Sequence, residues 1–437
     1  MSVGLQRLRE EPDLIRRGAL DKGEDAALVD RALELDARRR RLLGEADGLK
    51  AERNRASKQV GDAIRGGAAP DGPRVAAFRA ASVAAGERIA ALDAEAAAVE
   101  AELEDALLRI PNPADPDVPV GDADANVVVR TWGDLLPRAG AGPDGPWERK
   151  PHWDVAEALG IIDLERGAKV AGSGFPVYRG AGAALQRALI DFFLGVHTRE
   201  NGFTEIWPPA VVNAASARGT GQIPDKEDQM YVITRDELYL VPTAEVPVTN
   251  LHRDEIFEPD ALPVRYAAYT PCFRREAGAA GKDTRGILRV HQFDKVEMVL
   301  FERPEASGEA LEWMTGRAED LLRRLGLAYR VLLMATRDMG FVQAKKYDLE
   351  VWAPGVERWL EVSSCSNFRD YQARRMAIRY RPAPGAKPEL VHTLNGSGLA
   401  LARVVAAILE TYQRPDGSVV VPEPLRATLG TDTLLPS

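Results

Sequence analysis

The feature that most constrains the fold of this chain is a long heptad seam near the amino terminus. Small or apolar side chains recur without a break, at alternating spacings of three and four residues, at Val75, Phe78, Ser82, Ala85, Ile89, Leu92, Ala96, Val99, Leu103, Ala106 and Ile110. This pattern is typical of a helix that packs along its whole length against a partner helix. We therefore predict a helix at 74–110 and a partner helix close to it in the chain.

The partner helix is predicted just upstream, at residues 28–65. There, one position in every seven is leucine or alanine: Leu28, Leu35, Leu42, Leu49 and Ala56. The intervening segment Gly66–Pro73 (GGAAPDGP) contains the residues that end helices and reverse the chain. The two helices are thus expected to form an antiparallel hairpin, each arm about 55 Å long at roughly 1.5 Å per residue.

The hairpin is predicted to end at a domain boundary. A stretch rich in proline, aspartate and glycine begins at Pro111 and reads PNPADPDVPVGDADAN. Such a composition is typical of a connecting segment. We assign residues 1–113 to the helical arm and residues 114–437 to a second domain, and 437 residues are enough for two domains.

The second domain mixes β-branched runs with amphipathic helices. We predict helices at Gly182–Asn201 and Gly398–Tyr412, and strands at Leu238–Val241, Ala267–Arg275, Arg289–Phe301, Tyr347–Trp352 and Trp359–Ser363. Strands separated by loops rather than by crossover helices favour an antiparallel α+β sheet over a doubly wound one. The sequence contains no internal repeat and no glycine-rich phosphate loop of the Walker or dinucleotide type.

Composition argues against several classes of protein. No run approaches the roughly 18 apolar residues that cross a bilayer, and the amino terminus lacks the apolar core of an export signal, so we expect a cytoplasmic protein with no membrane partner. Two cysteines, Cys272 and Cys365, are too few for a disulfide framework or a cysteine zinc cluster, and no zinc is expected. The net charge of −9 argues weakly against a nucleic-acid partner, but the sign of the charge varies strongly along the chain.

Residues 270–301 contain a dense group of chemically useful side chains, on two strands that flank a loop rich in glycine and charge. Arg274 and Glu276 are two apart on the first strand, and Phe293 and Glu297 are four apart on the second, so each pair is expected to share a face. Together they could bind a phosphate, an amine and a flat ring. A solvated hairpin with cross-strand ion pairs is an equally good interpretation of the spacing alone.

The residue types in this stretch indicate a protein family more specifically than their spacing does. FRREAG, followed by RVHQFDKVEM, resembles motif 2 of the class II aminoacyl-tRNA synthetases, in the form found in seryl-tRNA synthetases. Further segments resemble the same family, in the family's order: Gly219–Pro224, Thr243–Ile256, Glu361–Arg375 and Leu394–Glu410. The resemblance covers nearly the whole chain, including the helical arm.

Resemblance to the bacterial-type seryl-tRNA synthetases implies an ATP-dependent ligase. Such an enzyme activates L-serine with ATP and Mg²⁺ to seryl-adenylate and transfers the serine to the 3′ end of tRNA(Ser), with tRNA(Sec) as a further expected substrate. The resemblance also implies a homodimer, because Pro208 and Pro209 resemble motif 1, which forms the dimer interface in this class.

The resemblance implies specific roles on the nucleotide side. Arg274 would grip the α-phosphate and the serine carboxylate, for which a planar, permanently charged group is suited. Glu276 would hold the adenine end, and Phe293 and Arg403 would sandwich the adenine ring. The full set of expected ATP contacts is Arg274, Arg275, Glu276, Val290, Phe293, Glu361, Val362, Ser363, Ser364 and Arg403.

A magnesium ion is implied at Glu361 and Ser364, whose oxygens suit that hard cation. A spacing of three does not put both residues on one face of a regular strand, so we expect a bulge at Val362–Ser363. Arg274, Arg403 and Glu361 are the residues expected to act in the reaction itself.

The serine pocket is implied around Thr243 and Glu245, which are expected to share a strand face, together with Glu297, Asn395 and Ser397. The full set of expected serine contacts is Thr243, Ala244, Glu245, Arg274, Glu297, Asn395 and Ser397. Two carboxylates suit an ammonium and a hydroxyl group. A site built to hydrogen-bond a hydroxyl rejects the analogue that lacks it by about 10⁴–10⁵-fold.

None of the other reactive side chains is a convincing nucleophile or general base. His291 and the two cysteines are expected to be structural. This agrees with a reaction in which the serine carboxylate attacks ATP directly and the enzyme supplies positioning and charge neutralisation.

The tip of the arm is expected to bind the tRNA. Within residues 50–79, cations outnumber acids, so the tip is positive. In the family that this chain resembles, the arm binds the long variable stem of the tRNA. We expect Arg55, Lys58 and Arg74 to contact its phosphates.

The basic run Arg38–Arg41 has a different expected role. In a hairpin that turns near residue 70, this run faces the acidic stretch at 95–104. We expect Arg39 and Arg40 to pair with those acids inside the arm and not with nucleic acid.

The sequence has three alternative interpretations. A ligase that aminoacylates a carrier protein shares the catalytic fold but lacks the arm. A synthetase for threonine or proline would have further editing or anticodon-binding domains, which are not expected after the motif at Leu394–Glu410. A dimerisation coiled coil on a non-enzymatic scaffold would not need convergent polar side chains.

Overall fold

The computed structural model of the chain describes residues 3–142, 145–278 and 285–436. Residues 279–284, part of the loop predicted between the two strands of 270–301, lie outside the described residues. The chain forms two compact units, Met1–Pro111 and Asn112–Ser437. Among the helices of the described ranges, none combines the length and the apolar character that crossing a bilayer requires.

The amino-terminal unit is helical, and the predicted hairpin is confirmed. Its helices are α1 (Leu5–Glu10), α2 (Pro12–Asp21), α3 (Ala27–Arg65) and α4 (Pro73–Leu108). Heptad positions such as Leu35, Leu42, Leu92 and Val99 are buried in one continuous core between α3 and α4. The turn contains Gly67 at a φ of +89°, a conformation that side chains with a Cβ rarely adopt.

The two short helices α1 and α2 pack against the base of the hairpin. Leu8 and Ile15 are fully buried in the core that also contains Val29. The buried carboxylate of Asp36 accepts hydrogen bonds from Arg9 at 2.7 and 2.6 Å. These bonds lower the pKa of Asp36 below its usual range. The sequence interpretation did not distinguish this base from the rest of the arm.

Ion pairs across the hairpin confirm part of the predicted charge pattern. Arg38 Nη2 lies 2.8 Å from Glu95 Oε1, and Arg39 Nη1 lies 2.6 Å from Glu100 Oε2. The prediction for Arg40 is wrong. Its guanidinium pairs with Asp36 of the same helix, at 3.2 Å, because successive side chains on a helix point about 100° apart and only some of a basic run can face the partner helix.

The carboxy-terminal unit is an antiparallel α+β domain, as predicted. Its helices are α5 (His152–Leu159), α6 (Leu164–Ala171), α7 (Ala181–Arg199), α8 (Ala214–Thr220), α9 (Glu245–Thr249), α10 (Ser307–Arg324), α11 (Tyr371–Met376), α12 (Leu401–Thr411) and α13 (Glu423–Leu429). Its first ten strands are β1 (Val127–Trp132), β2 (Ala139–Gly142), β3 (Gly145–Glu148), β4 (Ile162–Asp163), β5 (Val177–Tyr178), β6 (Thr204–Ile206), β7 (Val211–Asn213), β8 (Val232–Ile233), β9 (Leu238–Leu240) and β10 (Ile256–Phe257). The remaining strands are β11 (Val264–Phe273), β12 (Gln292–Glu302), β13 (Tyr329–Leu333), β14 (Lys345–Ala353), β15 (Arg358–Asn367), β16 (Arg379–Tyr380), β17 (Glu389–Leu390), β18 (His392–Ala400), β19 (Val419–Val420) and β20 (Thr433–Leu434).

One eight-stranded sheet organises this unit. Its strand order is β1-β13-β14-β15-β18-β12-β11-β6, and every neighbouring pair is antiparallel except β11 with β6. The largest core lies between this sheet and helices α7, α10 and α12, where Leu189, Met314 and Val404 are fully buried. Side chains alternate between the two faces of a strand. Strand β12 therefore contributes Val296 and Met298 to the core and the residues between them to the opposite face.

Several predicted elements have different boundaries; strand β12, for example, begins at Gln292 and not at Arg289. The segment at Thr243–Glu245 is not a strand, because helix α9 begins at Glu245. The closing helix begins at Leu401 and not at Gly398, since residues up to Ala400 belong to β18, which pairs with strands on both sides. Strand β11 ends at Phe273, before the predicted Arg275.

Candidate active site

A polar cavity of about 570 Å³ opens in the carboxy-terminal unit. It is lined by all the predicted ATP and serine contacts except Ala244 and Arg275. Ala244 is fully buried and packs in an apolar cluster with Val299 and Phe301. Arg275 turns away and donates from Nη1 to the carbonyl of Asp228 at 2.9 Å. The ligand contacts of Ala244 and Arg275 remain predictions, because neither side chain lines the cavity in this structure.

Arg274 and Glu276 both line the cavity, although not through a shared strand face. Both follow the end of β11, and Glu276 has a φ of +51°, outside the range of a strand. The Arg274 guanidinium carbon lies 5.2 Å from the ring centroid of Phe293, and its Nε donates to the carbonyl of Pro242 at 3.4 Å. Glu276 pairs with Arg289 at 3.3 Å. The Arg274 guanidinium therefore lies over the Phe293 ring in the cavity.

Strand β12 presents Phe293, Lys295 and Glu297 to the cavity at alternate positions, which confirms the shared face predicted for Phe293 and Glu297. Lys295 was missed by the sequence interpretation. It is only 5% exposed, donates from Nζ to Thr243 Oγ1 at 2.8 Å, and forms an ion pair with Glu297. The alternation that selected its two neighbours on the strand could have identified it.

Glu245 is a second buried carboxyl group of the cavity. Burial, together with the nearby charge of Glu297, raises the pKa of Glu245 to about 7. Its Oε1 accepts a hydrogen bond from Gln372 Nε2 at 2.7 Å. Gln372, from α11, was also missed, because it lies 127 residues further along the chain and touches the cavity only through Glu245.

Asn395 and Ser397 lie on β18, the strand next to β12. The Asn395 Nδ2 atom is buried and has no hydrogen-bond partner among the described residues. A buried amide donor without a partner is costly. Because Asn395 lines the cavity, its free donor is a group that a bound ligand could satisfy.

The bulge predicted at Val362–Ser363 is confirmed. Along the β14–β15 pair, Glu350 lies opposite Glu361 and Leu349 lies opposite Ser363, so Val362 is the additional residue. The bulge shifts the alternation of side chains, and Glu361 and Ser364 both reach the cavity.

Charges around Glu361 favour its ionised form. Burial would raise the pKa of Glu361, but the cations of Arg403 and Lys346, with more distant ones, outweigh it and hold the pKa below its usual range. Arg403 Nη1 donates to the Glu361 carbonyl at 2.9 Å and lies 3.5 Å from Glu361 Oε2. Arg403 Nε donates to the carbonyl of Leu288 at 3.0 Å. Arg403 thus connects β15 to the segment that precedes β12.

The donor set at Glu361 fits a magnesium ion. No group of three or more histidine, cysteine, aspartate or glutamate side chains has metal-site spacing in the described part of the chain. Magnesium, however, commonly takes one or two carboxylates and completes its shell with phosphate oxygens and water. Asp348 lies opposite Ser364, and its Oδ1 is buried without a hydrogen-bond partner among the described residues. Glu361 and Ser364 line the cavity and offer hard oxygens of this kind, whereas Asp348 lies behind them and pairs through Oδ2 with Lys346 at 3.1 Å.

The reactive side chains outside the cavity have structural contacts. His291 Nδ1 lies 2.7 Å from the hydroxyl of Tyr231, and its ring stacks on Phe175 at 5.3 Å. Both cysteines are buried and unpaired. Burial raises the pKa of Cys272, and that of Cys365 to about 12, so both remain protonated thiols.

The arrangement suits two ligands side by side. The buried polar residues Thr243, Glu245, Lys295 and Glu297 line the same cavity as Phe293, Arg274 and Arg403. Among the described lining residues there is no cysteine or histidine. The site can bind a small zwitterion beside a nucleotide and neutralise phosphate charge, which is the chemistry of an acyl-adenylate-forming enzyme.

Comparisons with known proteins agree with this description. Residues 231–412 match the family described as tRNA synthetase class II core domain (G, H, P, S and T), and residues 4–114 match the seryl-tRNA synthetase N-terminal domain. A serine–tRNA ligase from Thermomicrobium roseum is 54% identical over 98% of this chain and 93% of its own length.

Solved structures show the same fold. The seryl-tRNA synthetase from Pyrococcus horikoshii, solved with ATP, has a TM-score of 0.91 at 37% identity, over 100% of both chains. The M. kandleri enzyme, solved with A. aeolicus tRNASec, has a TM-score of 0.58 over 80% of this chain and 70% of its own. At 19% identity, the second comparison concerns the fold alone.

Proposed function

This chain belongs to the seryl-tRNA synthetases, within the class II aminoacyl-tRNA synthetases, and we infer that it activates serine with ATP and transfers the serine to tRNA. The observation that supports this most strongly is that Lys295, Glu297 and Glu245 are buried together in a cavity that arginine and phenylalanine also line. Buried carboxyl groups beside a nucleotide-sized cavity suit a small substrate that carries an ammonium group.

We assign the serine to the side of the cavity formed by β12, β18 and the start of α9. Glu297 pairs with Lys295, and its carboxylate can accept a hydrogen bond from the serine ammonium. Thr243, Asn395 and Ser397 offer further polar atoms, and the unpartnered Asn395 Nδ2 can donate to a substrate oxygen. A methyl group added to the substrate would have to fit among these closely packed side chains, so size excludes threonine.

We assign the nucleotide to the opposite side of the cavity, where Phe293, Arg274 and Arg403 lie. Phe293 and Arg403 would bracket the adenine, and Arg274 would reach the α-phosphate and the serine carboxylate. Glu276 would contact the adenine end, in exchange for its present pairing with Arg289. A magnesium ion on Glu361 and Ser364 would neutralise charge on the phosphates.

The proposed reaction has two steps. A serine carboxylate oxygen attacks the α-phosphorus of ATP, and pyrophosphate leaves to give seryl-adenylate. A ribose hydroxyl at the 3′ end of the tRNA then attacks the seryl carbonyl carbon, and AMP leaves. Arg274 is positioned to stabilise the charge that develops on the α-phosphate oxygens, and neither step needs a protein nucleophile.

We propose that the helical arm binds the tRNA. In the amino-terminal unit, which is described from residue 3 onwards, Arg55, Lys58 and Arg74 form no ion pair with another side chain. Unpaired cations at the tip remain free to contact phosphates. We include tRNA(Sec) among the proposed substrates, as the resemblance of the sequence to the bacterial-type seryl-tRNA synthetases implies.

We also propose a cytoplasmic homodimer. Trp207, in the motif 1 region, is 78% exposed next to Pro208 and the edge strand β6, and an exposed tryptophan is a frequent anchor of an interface. Two buried, unpaired cysteines fit a reducing compartment. Analytical ultracentrifugation should give twice the chain mass of 47.6 kDa, and Trp207→Glu should shift the protein towards one chain.

The proposed function is tested by charging tRNA with radiolabelled serine. Transcripts of tRNA(Ser) and tRNA(Sec) should both accept serine in the presence of ATP and Mg²⁺. A tRNA(Ser) transcript without its variable stem should be charged poorly and serves as the matched control. Absence of acid-precipitable seryl-tRNA, or acylation of a carrier protein instead, would contradict the proposal.

A further inference from the structure

A buried histidine–glutamate pair lies outside the cavity. His152, the first residue of α5, and Glu410, near the end of α12, are both fully buried. Glu410 Oε1 lies 2.8 Å from His152 Nδ1 and accepts from the His152 backbone N–H at 2.9 Å. Glu410 Oε2 accepts from the backbone N–H groups of Gly355 and Val356 at 2.8 and 3.1 Å. The carboxylate is therefore fully occupied and holds the imidazole in place.

The other nitrogen of the imidazole points at the segment that precedes β12. The backbone N–H of Ile287 donates to His152 Nε2 at 3.3 Å. An amide N–H can only donate, so Nε2 must be the unprotonated acceptor, and the ring proton is on Nδ1, facing Glu410. The pair thus fixes one tautomer and offers one acceptor to residue 287.

The contact between α5 and this segment is close. Gly286 has a φ of +70°, and a Cβ atom at this position would lie 2.3 Å from His152 Nε2. One residue earlier, the Arg285 guanidinium lies 4.7 Å from the Trp153 ring centroid. Residues 285–287 therefore pack against the first turn of α5.

Residues 287 and 288 line the cavity, and the Leu288 carbonyl accepts the 3.0 Å hydrogen bond from Arg403 Nε. Hydrogen bonds run from Glu410 through His152 to the Ile287 N–H, and the carbonyl of the next residue, Leu288, accepts from Arg403. We propose that His152 is a positioning residue for the nucleotide side of the site: it holds the backbone at Ile287–Leu288, and through that backbone it orients Arg403. The inference rests on the proposed nucleotide role of this side of the cavity.

Two substitutions separate the two hydrogen bonds of the imidazole. In His152→Asn, the amide nitrogen takes the place of Nδ1 and still donates to Glu410, but no atom reaches the Ile287 N–H. In His152→Gln, the amide oxygen takes the place of Nε2 and can accept from Ile287. The two variants differ mainly in which of the two bonds survives.

The test is serine-dependent ATP–pyrophosphate exchange by the full-length chain, with ATP and serine varied separately. His152→Asn should raise the KM for ATP about three- to tenfold, the range expected when one hydrogen bond is removed. The KM for serine should stay within about twofold, because the residues that form these hydrogen bonds are not among those assigned to the serine. His152→Gln should restore the KM for ATP to near the wild-type value.

Two further variants keep the inference falsifiable. Gly286→Ala changes the other partner of the contact with His152, and it should also raise the KM for ATP. This variant provides a test even if His152→Asn folds poorly. Tyr412→Phe, which removes a 2.6 Å hydrogen bond to Leu325 away from the cavity, should lower stability without changing either KM. An unchanged KM for ATP in His152→Asn and Gly286→Ala, or equal rises for both substrates, would overturn the role. A wild-type enzyme without serine-dependent exchange would overturn the proposed function as well.

Discussion

At the scale of single residues, Glu297 is the most important side chain of the proposed serine site. Glu297→Ala should abolish serine-dependent exchange while ATP binding stays measurable. The substitution removes the proposed partner of the serine ammonium and leaves Lys295 as a buried, unpaired cation, which is strongly unfavourable. Exchange kinetics and equilibrium ATP binding give the two readouts. Glu309→Ala, at an exposed position of α10, is the matched control. Wild-type exchange with serine in the Glu297 variant would refute the assignment.

Glu245 should make serine recognition depend on pH. A carboxyl group with a pKa of about 7 is mostly neutral at pH 6 and mostly ionised at pH 8. The serine ammonium favours the ionised form, so the KM for serine should fall several-fold as the pH rises through this range. Glu245→Gln cannot ionise, and its profile should be flat between pH 6 and 8. A variant that keeps the wild-type pH dependence would show that another group is responsible.

Residues in recognisable motifs could be predicted, and those that support them could not. Phe293 and Glu297 were placed correctly because alternation along a strand is a local rule. Gln372 was missed because its contact with Glu245 joins positions 127 residues apart. The strand predicted to reach Arg275 ends at Phe273, and the Arg275 side chain donates to the carbonyl of Asp228, a contact that local spacing cannot reveal.

At the scale of elements, long periodic patterns were the most reliable guide. The hairpin of α3 and α4 follows from a heptad seam in which each repeat reinforces the last. The segment at Thr243–Glu245 was predicted as a strand and begins a helix instead. Three residues contain too little periodicity to decide between the two. The bulge at Val362 could be predicted because the chemistry required Glu361 and Ser364 to reach one site.

Two double variants can test whether the tRNA is bound by the cations at the tip of the arm or by the basic run nearer its base. Replacing Arg55 and Lys58 together with glutamine should lower the slope of log affinity for tRNA against log salt by about two units, one for each phosphate that is no longer neutralised. The matched control replaces Arg38 and Arg39, which pair with Glu95 and Glu100 across the hairpin. This control should weaken the hairpin by about 1 kcal/mol or less, since exposed pairs contribute little, and leave the slope nearly unchanged.

Affinity is measured over a salt series for both double variants and the wild type. A larger decrease of the slope in the Arg38/Arg39 variant would mean that the basic run binds the tRNA and that its ion pairs open on binding.

At the scale of the whole molecule, the two units should have separable roles. Removing residues 1–111 should preserve seryl-adenylate formation and nearly eliminate tRNA charging. The whole unit is removed because Leu8 and Ile15 of α1 and α2 pack on the base of the hairpin and would otherwise be exposed. Exchange and charging are measured on the same preparation. Charging at near-normal efficiency by the shortened chain would show that the arm is not the tRNA-binding element.

The central claim is that the cavity activates serine. Its most direct test is ATP–pyrophosphate exchange by the full-length chain with each of the twenty amino acids in turn. Serine alone should support rapid exchange. Alanine should be slower by about 10⁴-fold or more, because the buried groups that bind the hydroxyl would be left unpaired, and threonine should be rejected by its size. Exchange with another amino acid at a rate equal to that with serine, or exchange without any amino acid, would contradict the account.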